Sequence, residues 1–131
     1  MAALLIQNVK ADEISCVNVN ADYADFSNAN MPNSWFIGAS LKNAVFSGAN
    51  LTGARLANAE LNEANMQSTQ LGGAVLCNAN LQQVNFNKAN LRRADLRGAK
   101  LNFTIFGNAD KEEINKEENY GRKSHLKQNL C

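Results

Sequence analysis

Few side chains in this sequence have the chemistry of an active site, and their spacing does not gather them. The single histidine, His125, lies in a charged stretch at the far end of the chain, so neither a triad nor a histidine metal site can form around it. The cysteines, Cys16, Cys77 and Cys131, are widely spaced and odd in number. That pattern is neither a disulfide framework nor a metal-ligand set, and reduced thiols in a cytoplasmic chain are expected. Glu60 and Glu63 are three apart, but both fall on an open face where carboxylates are ordinarily solvated. No enzyme, cofactor or metal is expected from these residues.

Charge gives no stronger lead. Lys plus Arg is 13 and Asp plus Glu is 12, a net charge of +1, so no overall field draws nucleic acid or an acidic partner. Residues 1–110 carry eight charges of each sign, and residues 111–131 carry five basic and four acidic. The opening MAALLIQNVKADE lacks a basic n-region and a long enough apolar run for a signal peptide. No stretch approaches the ~20 apolar residues of a membrane helix. The final QNLC is not a prenylation box, and no membrane partner is expected.

What must position any functional group is a repeat of five. Residues 41–65 read LKNAVFSGANLTGARLANAELNEAN. From Phe26 to Phe106 every fifth residue is Leu, Phe or Met, at seventeen consecutive sites. The position two before these centres is alanine at fourteen of eighteen sites, the exceptions being Ser34, Thr69, Val84 and Thr104. An α-helix advances ~140° over a period of five and would scatter the centres around its axis. A strand, with its period of two, would send alternate centres to opposite faces. A chain that turns a corner every five residues satisfies both positions, because i and i−2 of an extended segment share a face. The second residue after the centre is Gly or Asn at eleven of seventeen sites, which suits a corner with positive φ. Phe26, Phe46, Phe86 and Phe106 are spaced by multiples of twenty, with Met66 on the missing rung. Four sides of five therefore make one coil, with like residues stacked on like.

The motif A(D/N)LXX, seen as ANLTG, ANLQQ, ANLRR and ADLRG, resembles the pentapeptide-repeat family over about residues 24–110. The resemblance implies an all-β solenoid, a right-handed quadrilateral β-helix. The spacing predicts about five coils over residues 4–110, a rod roughly 25 Å long at the ~4.8 Å strand separation. Residues 4–23 keep the frame with large and small residues exchanged, as in Leu4, Val9, Ile14 and Val19 against Ala11, Cys16 and Ala21. They form an atypical first coil in which Cys16 is expected to be buried. Residues 111–131 form a charged tail, with Asp110 and Glu113 as a capping box for a short helix over 111–120 and disorder after 121.

The outer surface is then what remains for function. Asn30, Asn50, Gln70 and Asn90 fall in one column and suggest an amide ladder. One face differs: Trp35, Ile37, Arg55, Val75 and Cys77 project from successive coils, and Arg55 can stack on the only tryptophan. Lys88, Arg92, Arg93, Arg97 and Lys100 form a basic collar, a weak anion or nucleic-acid candidate. The expectation is a non-enzymatic protein-interaction scaffold or structural module, its partner another protein and its oligomeric state open. The alternative comes from the family resemblance: some members mimic DNA and inhibit or protect gyrase or topoisomerase, conferring quinolone resistance. The neutral rod argues against that reading.

Overall fold

The computed structural model describes residues 14–116 and residue 131. Expectations for residues 4–13 and for most of the tail, including His125, fall outside the described residues.

Each quintet makes its corner with one hydrogen-bonded turn. The carbonyl of the centre accepts from the N–H three residues on, as from Ala29 to Phe26 at 3.0 Å and from Ala49 to Phe46 at 2.9 Å. The residue two after the centre is left-handed, with φ 59° at Asn28 and 72° at Gly48, which marks a type II turn. This is why Gly and Asn dominate that column. Glu63, Gln83, Lys88, Arg93 and Phe103 hold the same conformation, showing that the ladder imposes it even on residues that resist it. At the Phe106 corner the left-handed residue lies one place earlier, at Gly107.

Between corners, the residue preceding each centre pairs in parallel with the residue twenty positions on. One column runs Ser15, Trp35, Arg55, Val75, Asp95 and Asn115, and three others follow the same register. Arg55 donates to Ser34 O at 2.8 Å, while Leu56 donates to Val75 O at 2.7 Å. Each side between the end coils is thus hydrogen-bonded to the coils before and after it. The chain is a β-solenoid with four columns and a repeat of twenty.

The centres and the residues two before them fill the interior. Phe26 stacks on Phe46 with centroids 4.8 Å apart, and Phe36 meets both edge-on at 5.6 and 5.9 Å. Phe86 stacks on Phe106 at 5.7 Å, and Met66, fully buried, fills the rung between the two pairs. Thr69 tolerates burial in an alanine slot by donating to Phe46 O at 2.8 Å, and Thr104 donates to Leu81 O at 2.7 Å. Buried Ser34 finds no partner for its hydroxyl.

Both ends depart from expectation. Residues 111–116 are not helical; they extend the ladder. Asn115 donates to Ala94 O at 2.9 Å and accepts from Leu96 N at 2.8 Å, so cross-coil bonds displace the local helix. Asp110 caps a turn through Glu112 N, and Glu113, left-handed with φ 56°, pairs with Arg93. Ile114 packs on the core where an alanine usually sits. Lys111 stands at a centre position, and its ammonium lies 5.3 Å from the Phe106 ring. At the other end Cys16 is half-buried rather than buried, because among the described residues only the next coil covers it. That partial burial still raises the thiol pKa above its ordinary 9.0 by desolvation.

Candidate interaction face

Four outer faces follow from the four columns, and three of them are polar. On the Asn30 face, Asn50 donates to Asn30 Oδ1 at 2.9 Å and Asn90 to Gln70 Oε1 at 3.2 Å, two rungs of the expected ladder. Glu60 accepts from Asn80 Nδ2 one coil on at 3.1 Å, a solvated side-chain bond rather than half of a catalytic pair.

The fourth face carries Trp35. Its indole is 41% exposed, and the guanidinium of Arg55 lies 5.2 Å from the ring centroid. The twenty-residue register puts these two side chains directly above one another. Beside them Ile37, Gly53, Arg55, Ala57, Gly73 and Val75 line a shallow cavity of about 420 Å³, closed on one side by Cys131.

Cys131 is the feature the sequence did not disclose. It is disulfide-bonded to Cys77, with Cα atoms 5.5 Å apart. The expectation of reduced thiols is therefore wrong for this pair, and Cys77 is no exposed contact residue, since none of its surface reaches solvent. A separation of 54 residues gives no local signal of the pairing, which depends on the two Cα atoms being brought within bonding range by the fold. Next to the bond, Asp95 receives Arg97 Nε at 2.9 Å and Nη2 at 2.6 Å, a bidentate pair with both side chains about nine-tenths buried. Arg97 Nη2 also lies 3.6 Å from Cys131 Sγ. Ligand atoms of Cys77, Asp95 and Cys131 fall within 4.8 Å of one another. With the sulfurs bonded and the carboxylate held by Arg97, that set offers no thiolate to a metal.

The basic collar does not survive as a patch. Arg92 pairs with Glu112 at 2.6 Å and Asp110 at 3.6 Å, Arg93 with Glu113 at 3.1 Å, and Arg97 is buried on Asp95. Lys88 and Lys100 stay exposed on different sides. Of the acidic partners, Asp110 closes the expected rod, while Glu112 and Glu113 lie in the stretch expected to be a tail. Reasoning from sequence also passed over Phe103 and Ile105, which are 81% and 53% exposed near the end of the ladder. Their departure from the polar consensus of those columns was a usable signal.

Comparison with known proteins agrees with this geometry. A family model described as a pentapeptide repeat region matches residues 39–115. The chain belongs to the pentapeptide-repeat family. Among solved structures, Rfr23, a pentapeptide repeat protein from the cyanobacterium Cyanothece 51142, is 21% identical, with 88% of this chain and 86% of that chain covered and a TM-score of 0.66. QnrB1, a plasmid-mediated fluoroquinolone resistance protein, in a trypsin-treated form, is 14% identical, with coverage of 86% and 72% and a TM-score of 0.56. At these identities both likenesses concern the fold alone. Comparison with curated protein sequences gave no match. Among the described residues no helix is long and apolar enough to cross a membrane.

Proposed function

We propose that this pentapeptide-repeat protein is a non-enzymatic interaction module whose contact face is built on Trp35, Ile37, Arg55 and Val75. The observation that carries the reading is the Trp35–Arg55 stack standing half-exposed beside the cavity. An indole held against a guanidinium loses little side-chain entropy on binding, and Trp and Arg are the residues that most often anchor interfaces. A solenoid side is also rigid, so the face is presented without reorganisation.

The topoisomerase-mimic reading draws on the fold shared with QnrB1. Mimicry of duplex DNA needs a sustained acidic track. Residues 1–110 balance eight charges against eight, and the acidic groups at 110, 112 and 113 are spent on Arg92 and Arg93. A contact face that does not imitate DNA is therefore favoured. A cytoplasmic location is compatible with the Cys77–Cys131 bond where that bond is cycled by exchange rather than held permanently.

The test compares partners crosslinked in cells to the full chain, to the Trp35→Ala/Val75→Ser double variant, and to a Glu60→Gln/Glu63→Gln control on another face. Loss of an anchor worth ~2 kcal/mol weakens binding about thirtyfold, so the double variant loses the partners that the control keeps. Equal recovery by all three removes the Trp35 face from consideration.

A further inference from the structure

The Trp35 face has one property the other three lack. Elsewhere along the described ladder, the residues immediately before, immediately after and two after each centre are exposed or half-exposed. The only buried ones are Ala57, Cys77, Asp95 and Arg97, all on this face. Cys131 stands at the middle of that group, bonded to Cys77, beside Arg97 and forming a wall of the cavity. The two residues differ sharply in exposure. Cys77 has no exposed surface, whereas Cys131 is an exposed residue.

We propose that the Cys77–Cys131 bond is a thiol–disulfide exchange site for a dithiol reductant, and that its opening uncovers the part of the contact face around Cys77 and Ala57. Attack is directed at Cys131, the exposed residue of the pair. The thiolate bonds to Cys131 Sγ as the Cys77–Cys131 bond breaks. The electron pair leaves on Cys77 Sγ, which takes a proton from solvent. The second thiolate of the reductant then attacks its own sulfur in the mixed disulfide and releases Cys131 as a thiolate, so one dithiol is oxidised for each disulfide reduced. Arg97, with a guanidinium nitrogen 3.6 Å from Cys131 Sγ, is the positioning residue for that departing anion. Asp95 holds the guanidinium in place through both carboxylate oxygens. Once the bond is open, Cys131 no longer ties a wall to the cavity, and the face between Ile37 and Val75 lengthens towards Cys77. Only the consequence for partners rests on the contact-face reading; the exchange chemistry stands without it.

The experiment uses the oxidised full chain in native buffer. One alkylatable thiol, Cys16, is present before reduction and three after it. Dithiothreitol is expected to open the bond with the circular dichroism spectrum unchanged. Glutathione is expected to form its mixed disulfide at Cys131, at least about tenfold over Cys77, as read by peptide mass spectrometry. In the reduced chain Cys77 then alkylates within about tenfold of Cys131, where a thiol still covered would lag much further. The Cys131→Ser variant should show the same Cys77 reactivity without reductant, which keeps the test open if reduction is slow. The proposal is overturned by a bond that opens only in denaturant, by glutathione landing on Cys77, or by a reduced Cys77 lagging more than about tenfold. None of these readouts involves a partner, so their failure leaves the contact face standing, and loss of that face leaves the exchange chemistry untouched.

Discussion

Replacing Gly48 and Gly73 by alanine separates the two demands that the solenoid places on its corners. Both are left-handed, with φ of 72° and 66°. A Cβ on Gly73 would meet nothing within 4 Å, whereas one on Gly48 would sit 2.3 Å from Oδ1 of Asn28, one coil earlier. An L-residue in this region costs ~1–2 kcal/mol, and the lost freedom of the unfolded chain returns ~0.4–1 kcal/mol. Gly73→Ala should therefore cost about 1 kcal/mol. Gly48→Ala carries the same backbone cost and must also push the Asn28 side chain from its rotamer, adding about 1 kcal/mol. Urea unfolding followed by circular dichroism should thus rank Gly48→Ala below Gly73→Ala, with the wild type most stable. The double variant Asn28→Gly/Gly48→Ala removes the obstacle and should show a favourable coupling of about 1 kcal/mol. Equal losses at the two glycines, or a coupling near zero, would refute the stacking of coil on coil at a register of twenty.

Two further outcomes follow from the core and the surface. Ser34→Ala should stabilise the protein by about 1 kcal/mol in the same assay, since it removes a buried hydroxyl that has no partner. Asp25 has its carboxyl pKa lowered from 3.8, first by the Ser27 hydroxyl and then by the Ser27 N–H. A depressed carboxylate pKa contributes stability above the unfolded value, and that contribution is lost as pH falls through the folded value, so the effect lies below about pH 4. Carboxyl NMR titration should show the Asp25 pKa rising towards 3.8 in Ser27→Ala, and an unmoved titration would show that the hydroxyl is not its main cause.

The fold was legible to the extent that it is written in short-range chemistry. Alanine two places before Leu, Phe or Met records which positions face inward, and Gly or Asn two places after records a left-handed corner. Each mark is local, and seventeen repetitions leave no competing period. The Trp35–Arg55 stack was legible for the same reason, since the register of twenty follows from the spacing of the phenylalanines. Over residues 111–116 the expected helix gives way to the ladder because its evidence was also local. Asp110 and Glu113 do have capping-box spacing, but Asn115 finds two partners on the neighbouring coil that no local pattern reveals. The pairing within the basic collar was hidden for the same reason: Arg92 and Arg93 count as free cations until Glu112 and Glu113 are known to lie one coil above them.

By itself, then, the sequence determined the period, the four columns, the interior and the identity of the unusual face. Those properties depend on interactions between residues five or twenty apart in a repeat, and a repeat states its own contacts. Only the tertiary structure decided how that face is finished. Cys131 meets Cys77 across 54 residues, with Cys77 fully buried and Arg97 set between Asp95 and a sulfur. No periodicity links the last residue to the ladder. The separation of 54 is a multiple of neither five nor twenty, so the pairing becomes definite only in the folded molecule.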